Sequence, residues 1–376
     1  MIIEDLIQMH SSWIAINSIQ GCPNKCQYCF MRRYESIGVK PVEIATPEET
    51  IEALLKFKYY QSNIPLCLFP STDIMATKSN ISYLLDLFNE IEKRNLLNPL
   101  VLVTKMFIPD EVIDKISFLK STGRKIIVYL SYSELPKSVE PTINKEKLKL
   151  NFVRLHERQI PIIHYFRPII PQNATSEIIE KVIDYVSQYS LASVTTGLKV
   201  NKQSISDIVF WPEIEKIPDA DSYECIWPKG ALEKIRSMAL KNHYPIFQSN
   251  SCALALALGE WDRYGFWDTD VCKNFNNCPA FFREKCEQKY NEKQFSLEHI
   301  KNKFEKIMLD LGFIREEYSY EIDKQCNSIN LYVNKIDTQT LCYLSRCMSC
   351  RIQVKCKIEN TVYWNNGTSN APQLIL

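Results

Sequence analysis

Three cysteines fall within eight residues near the start of the chain, in "GCPNKCQYCF" over 21–30. The spacing Cys22-x3-Cys26-x2-Cys29 puts three thiols on one short stretch. A disulfide framework uses cysteines in pairs and needs an oxidising compartment, so an odd set argues against one. A structural zinc site closes with four ligands. A [4Fe–4S] cluster can use three thiolates and leave one iron open. That iron could take a ligand through an amine and a carboxylate. On spacing alone, zinc and chance remain alternatives.

The chain has 14 cysteines, many for a reducing compartment, so clustered ones point to metal or chemistry. Cys252, Cys272, Cys278 and Cys286 are enough to close a second site. An auxiliary [4Fe–4S] cluster is the first reading and zinc the second, with buried thiols as the structural alternative. Cys252 follows the strand-like "YPIFQS" (244–249) and is also a candidate catalytic hydrogen donor. A third group holds Cys326, Cys342, Cys347, Cys350 and Cys356. There "DTQTLCYLSRCMSC" reads as a helix and "RIQVKCKI" as a strand, so core packing explains these thiols better than metal. Cys67 and Cys225 stand apart, as buried small hydrophobes do.

Something must position the first three cysteines. Short apolar segments alternate with amphipathic ones from residue 12 to 250. "WIAINSI" (13–19) reads as the first strand, and the cysteine loop leaves it. "TPEETIEALLKFKYYQ" (46–61) opens with a Thr cap and a Pro, so it reads as a helix. "PLCLFP", "PLVLVTK", "KIIVYLSYS", "PIIHYFRPIIP" and "LASVTTGLKV" read as further strands, with helices between them. Such alternation implies a parallel sheet. About six βα units predict an α/β fold, a partial (β/α)6 TIM-type barrel, whose chemistry lies at the C-terminal strand ends. The predicted division is 1–250 for the barrel, 251–295 for a Cys-rich segment with little regular structure, and 296–376 for a small α+β domain.

The 376 residues are 45% hydrophobic, enough for a full core. A net charge of +1 gives no global field towards nucleic acid or membrane. Residues 324–357 are locally basic, with six Lys or Arg against one Asp; that reads first as a solvated face. "MIIEDLIQMH" has no signal-peptide pattern and no segment suits a membrane span, so a cytoplasmic protein without a membrane partner is expected. His164 reads as a satisfied core histidine. Trp261, Tyr264, Phe266 and Trp267 read as packing, with a base-stacking wall as the alternative.

C-x3-C-x-aromatic-C after the first strand of a βα series resembles the radical S-adenosylmethionine (radical SAM) superfamily, over about residues 12–250. The later matches "STDIM" (71–75), "VTK" (103–105), "LSYS" (130–133), "EP" (140–141) and "RPIIP" (167–171) resemble its spore photoproduct lyase-like branch. The resemblance implies that Cys22, Cys26 and Cys29 hold a [4Fe–4S] cluster, shielded by Tyr28, and that SAM chelates the fourth iron. It implies reductive cleavage of SAM to a 5′-deoxyadenosyl radical that takes hydrogen from a nucleic acid, nucleotide or peptide. A reductant such as flavodoxin or ferredoxin is implied as partner. Ser71, Thr72 and Asp73 carry over as the contact to the SAM amino group. Lys105 carries over as a carboxylate contact, and Ser131 and Ser133 as ribose contacts. Arg167 points to the mouth or into a salt bridge. Most members carry a Gly-Gly-Glu type motif where this chain has "STDIM". The lyase's hydrogen-donating Cys is replaced by Pro70, so dimer repair is not implied. A non-catalytic Fe–S or zinc protein, binding nucleic acid or regulating on a degenerate barrel, is the alternative function.

Overall fold

The computed structural model describes residues 5–200, 208–217, 225–263, 272, 278–292, 297–323, 328–354, 358–359 and 374–375. The strands run β1 Ile7–Met9, β2 Ile14–Ile16, β3 Ile19–Gln20, β4 Val42–Glu43, β5 Leu66–Leu68, β6 Leu100–Thr104, β7 Ile126–Ser131, β8 Ile162–Ile169, β9 Ala192–Gly197, β10 Ile226–Trp227 and β11 Ile246–Phe247. The helices between them are α1 Pro47–Lys56, α2 Lys78–Lys93, α3 Asp110–Ser121, α4 Lys145–Glu157, α5 Ser176–Val186 and α6 Ala231–Lys241.

Eight strands form one sheet in the order β1-β2-β5-β6-β7-β8-β9-β11. The ladders from β2 through β9 are parallel. Six βα units therefore follow one another without a reversal of strand order, as in a partial (β/α)6 barrel. Right-handed crossovers in a non-reversing order put every helix on one face of the sheet. β5 and β7 are buried along their whole lengths, which explains why they read as continuous apolar runs. Each fully buried Leu or Ile there contributes roughly 2 kcal/mol of hydrophobic stabilisation.

Local chemistry sets the helix starts. The Thr46 side chain accepts from the Glu49 N–H at 3.2 Å, and the Glu49 carboxylate accepts from the Thr46 N–H at 2.8 Å. With Pro47 at the first helical position, this capping box contributes about 1 kcal/mol to α1. At the end of β9, a Cβ on Gly197 would lie 2.4 Å from the Ile226 carbonyl oxygen. Only glycine lets β10 approach there.

The chain divides into two compact units. The first comprises Met1–Gln8, Trp13–Ile246 and Pro372–Leu376, and the second Met9–Ser12 and Phe247–Ala371. Residues 251–295 and the small α+β region thus share one unit, while the last residues group with the barrel. In the first unit a C-terminal strand, Leu374–Ile375, pairs in parallel with β10. In the second, α7 Asn250–Leu258 and a helix Ala280–Glu292 occupy the region expected to lack regular structure. That expectation is corrected: Cys252 and Cys286 lie in helices. The helices Leu297–Asp310 and Thr338–Met348 pack with strands Tyr318–Asp323, Ser328–Val333 and Arg351–Val354 around Phe304, Met308, Leu331 and Leu344. Cys342 and Cys350 are buried, Cys350 within this core. Cys326 and Cys356 lie outside the described residues, as do Tyr264, Phe266 and Trp267. Among the described residues no helix is long and apolar enough to cross a membrane.

Candidate active site

The cysteine loop leaves β3 and ends in a short 3-10 helix, Phe30–Tyr34, with Cys29 as its N-cap. Gly21 turns the chain into the loop at φ 87°, a left-handed conformation that favours glycine. The loop is tied at both ends and in the middle. The Cys22 N–H donates to the Ser36 carbonyl at 2.8 Å, and the Gln27 N–H to that of Val139 at 2.9 Å. The Thr142 hydroxyl donates to the Asn24 side chain at 3.1 Å. The Tyr28 ring packs on a cluster that includes Leu135, Val139, Leu198 and Trp211.

Around the loop stand residues from the C-terminal ends of three neighbouring strands. Asp73 follows β5 and is buried. Its Oδ1 accepts from the Thr104 hydroxyl at 2.7 Å and the Met75 N–H at 3.1 Å, and its Oδ2 from the Lys105 N–H at 2.8 Å. Burial pushes its carboxyl above the usual range, against these three donors. Among the described residues Oδ2 accepts from this one donor and keeps a free lone pair. The Ser71 hydroxyl donates to Asn17 at 2.9 Å. The Thr72 hydroxyl is buried and has no hydrogen-bond partner among the described residues.

Lys105 reaches two partners: its ammonium donates to Ser131 Oγ at 2.8 Å and to Glu140 Oε1 at 2.9 Å. The Tyr28 hydroxyl donates to the same Glu140 oxygen. Burial alone would lower the Lys105 pKa, but the Glu140 carboxylate outweighs it and the ammonium stays charged. Burial, reinforced by Glu140, pushes the Tyr28 phenol up. Glu140 is the residue that sequence reasoning passed over. Its "EP" motif was visible, but its partners lie 35 and 112 positions away.

The thiols sense this environment. Burial, followed by the Asp73 carboxylate, pushes Cys22 up to about 12, with the neighbouring backbone of Asn24 and Asp73 opposing. Burial pushes Cys26 up too, with Lys105 opposing, and Cys29 likewise. Such thiols keep their protons until a metal displaces them. Cys22 and Cys29 both lie within electrostatic reach of Cys26. Yet among the described residues no three Cys, His, Asp or Glu side chains are gathered closely enough to hold one metal ion. The donor set, together with the orphaned Thr72 hydroxyl and the spare Asp73 lone pair beside it, fits a three-thiolate cluster carrying a polar ligand.

The other expected contacts fall as follows. Ser131 faces Lys105, as above. The Ser133 hydroxyl instead donates to the Arg167 carbonyl at 3.3 Å. The Arg167 guanidinium lies 4.5 Å over the Tyr165 ring. Cys67 is fully buried in β5. His164 is a core residue: it lies 2.7 Å from both the Tyr132 carbonyl and the Ser193 hydroxyl. A carbonyl only accepts, so Nε2 donates there.

In the second unit, Cys252 and Cys286 are buried and Cys272 and Cys278 partly so. Burial pushes the Cys252 thiol well up, and Asp262, Cys286, Cys278 and Cys272 all add to it. Burial holds Cys278 at about 12 and Cys286 at about 11. The Asp262 N–H donates to the Cys286 sulfur at 3.4 Å. Asp262 was not anticipated, because "WDR" alone carries no metal-ligand spacing.

No protein-family model matches the sequence, and comparison with curated proteins gives no match. Solved structures match part of it. A spore photoproduct lyase with bound AdoMet and dinucleoside spore photoproduct is 14% identical, with TM-score 0.44, over 55% of this chain and 61% of that one. Streptococcus suis SuiB bound to S-adenosylmethionine is 11% identical, with TM-score 0.39, over 50% of this chain and 41% of its own. The radical S-adenosylmethionine methyltransferase TsrM from Kitasatospora setae, with cobalamin and a [4Fe–4S] cluster bound, is 14% identical, with TM-score 0.39, over 51% and 36%. The matched region thus spans less than two thirds of each of these structures.

Proposed function

We propose that the chain is a radical SAM enzyme acting on a nucleic acid, nucleotide or peptide, with a [4Fe–4S] cluster on Cys22, Cys26 and Cys29. The cluster and SAM together supply one-electron cleavage to a 5′-deoxyadenosyl radical, which abstracts hydrogen. The chain's own residues hold and shield that chemistry. The Asp73 lone pair and the Thr72 hydroxyl accept from the SAM ammonium. Lys105 has used two of its three N–H donors, so the third is available to a carboxylate beside that ammonium. Tyr28 and Glu140 fasten the cysteine loop to β6 and β7 and keep water from it.

One observation carries the reading: the "STD" motif meets the cysteine motif in space. Asp73 lies within electrostatic reach of the Cys22 sulfur, and next to it stands a buried hydroxyl with no partner among the described residues. An unpaired buried hydroxyl costs about 1–3 kcal/mol, which a ligand would relieve. The test is anaerobic reconstitution with iron and sulfide, then SAM and dithionite. Formation of 5′-deoxyadenosine without added substrate is expected. Its absence with an intact cluster would favour a binding protein instead.

We assign Cys252, Cys272, Cys278 and Cys286 to a second metal centre, with a [4Fe–4S] cluster ahead of zinc. What supports this is their common electrostatic neighbourhood, with Cys252 and Cys286 on two helices 22 residues apart in sequence. Cys252 then serves as a ligand rather than as a hydrogen donor.

A further inference from the structure

Arg167 is a site residue whose charge is not answered among the described residues. Arg94, Arg154 and Arg158 each meet a carboxylate. Arg167 is half-buried, and no ion pair to it occurs among the described residues. Its guanidinium is nonetheless held in place. It stacks 4.5 Å over Tyr165, whose ring meets that of Tyr129 at 4.7 Å. Its backbone is clamped by the Ser133 hydroxyl on the Arg167 carbonyl at 3.3 Å, and by the Asn173 amide on the Pro168 carbonyl at 3.1 Å. A stacked, fixed guanidinium with unused N–H donors is organised for planar, two-point recognition of an oxyanion.

Its position relates it to the proposed active site. Tyr165 on β8 is the register partner of Ser131 on β7. Ser131 accepts from Lys105 at the end of β6. Register partners share a face of the sheet, and the stacking contact keeps Arg167 on the face of Tyr165. Arg167 therefore faces the same side as Lys105 and Ser131, nearer the C-terminal strand ends. It stands three strands from β5, or about 14 Å at the usual spacing of about 4.8 Å. An amino acid carries its amine and carboxylate on one carbon. A SAM whose ammonium sits at Thr72 and Asp73 would thus place its carboxylate near Lys105, not near Arg167.

We propose that Arg167 binds an oxyanion of the substrate, a phosphate or a carboxylate, and so fixes the substrate's register against the site of hydrogen abstraction. This rests on the radical SAM reading. The substrate class it selects is anionic, and a neutral substrate would leave a desolvated guanidinium without a counter-charge.

The test is labelling of the anaerobically reconstituted protein with phenylglyoxal, an arginine-selective reagent, with the Arg167 peptide read by mass spectrometry. Labelling is compared in the free protein, with SAM, and with SAM plus either inorganic phosphate or malonate. Arg167 is expected to react in the free and the SAM-bound protein. One anion should slow it about threefold at roughly twice its dissociation constant, as simple occupancy requires. Protection by phosphate identifies a phosphate-bearing substrate, and protection by malonate a carboxylate-bearing one. Protection by SAM alone overturns the proposal by making Arg167 a cofactor contact. Equal labelling under all conditions overturns it, as does an Arg167 that never reacts, since a guanidinium closed to the reagent is closed to substrate. Iron content and SAM binding on the same sample report separately on the radical SAM reading.

Discussion

Glu140→Gln probes the join between the cysteine loop and the sheet. The Glu140 side chain is 4% exposed and that of Lys105 17%. One carboxylate oxygen accepts from both Lys105 and Tyr28. Removing one member of a buried ion pair costs about 3–5 kcal/mol, because the other charge is left without a partner. Glutamine keeps the shape and one acceptor oxygen, so the loss should fall near about 3 kcal/mol. With a urea slope of about 3 kcal/mol per molar, the midpoint of the first unit drops by about 1 M. Lys105→Met, which strands the carboxylate, should cost about the same. The double variant removes both charges and should recover about 2 kcal/mol relative to the sum of the singles. The assay is urea unfolding of metal-free protein, followed by tryptophan fluorescence and circular dichroism. Additive losses, or a Glu140→Gln midpoint equal to that of the parent protein, would refute the pairing and the anchoring role built on it.

Thr72→Val should leave stability unchanged or raise it by up to about 1 kcal/mol, since it removes an unpaired buried hydroxyl, yet weaken SAM binding about fivefold by calorimetry. Equal affinity would remove Thr72 from the site. Burial holds His164 down at about 4, against about 6.5 in an unfolded chain. The unfolded chain therefore takes the proton first, so stability falls as pH drops from about 6.5 towards 4, by at most about 3 kcal/mol. His164→Gln should flatten that slope in unfolding measured across pH, and an unchanged slope would contradict it. Protein with Cys22, Cys26 and Cys29 changed to Ala should retain about four irons per chain at the second centre. Zinc there would make the centre structural, and the absence of any metal would remove it.

Much of the barrel was legible. Strands such as β5 and β7 are short runs buried along their whole lengths, and α1 announces itself through Thr46, Pro47 and Glu49. The first three cysteines and Asp73 were legible as motifs because their spacing is local. Glu140 was not, because its role exists only once β6 and β7 lie side by side. Nor was the end of Lys105's reach, which depends on Ser131 across a strand boundary. The helix holding Cys252 escaped for another reason. "NSCALALAL" is apolar on every side and nine residues long, so it shows no helical period and follows a strand-like segment. Arg167 read as pointing to the mouth or into a salt bridge, and no local signal in the sequence decides between the two.

The most direct test is the electron paramagnetic resonance signal of the dithionite-reduced, anaerobically reconstituted protein, recorded with and without SAM. It is best run on a variant lacking Cys252, Cys272, Cys278 and Cys286, so that only the first centre reports. The expected result is a reduced [4Fe–4S] signal that requires Cys22, Cys26 and Cys29 and changes shape when SAM binds the open iron. A signal indifferent to SAM, or bound zinc with no iron signal at all, would contradict an open three-thiolate cluster and the function drawn from it.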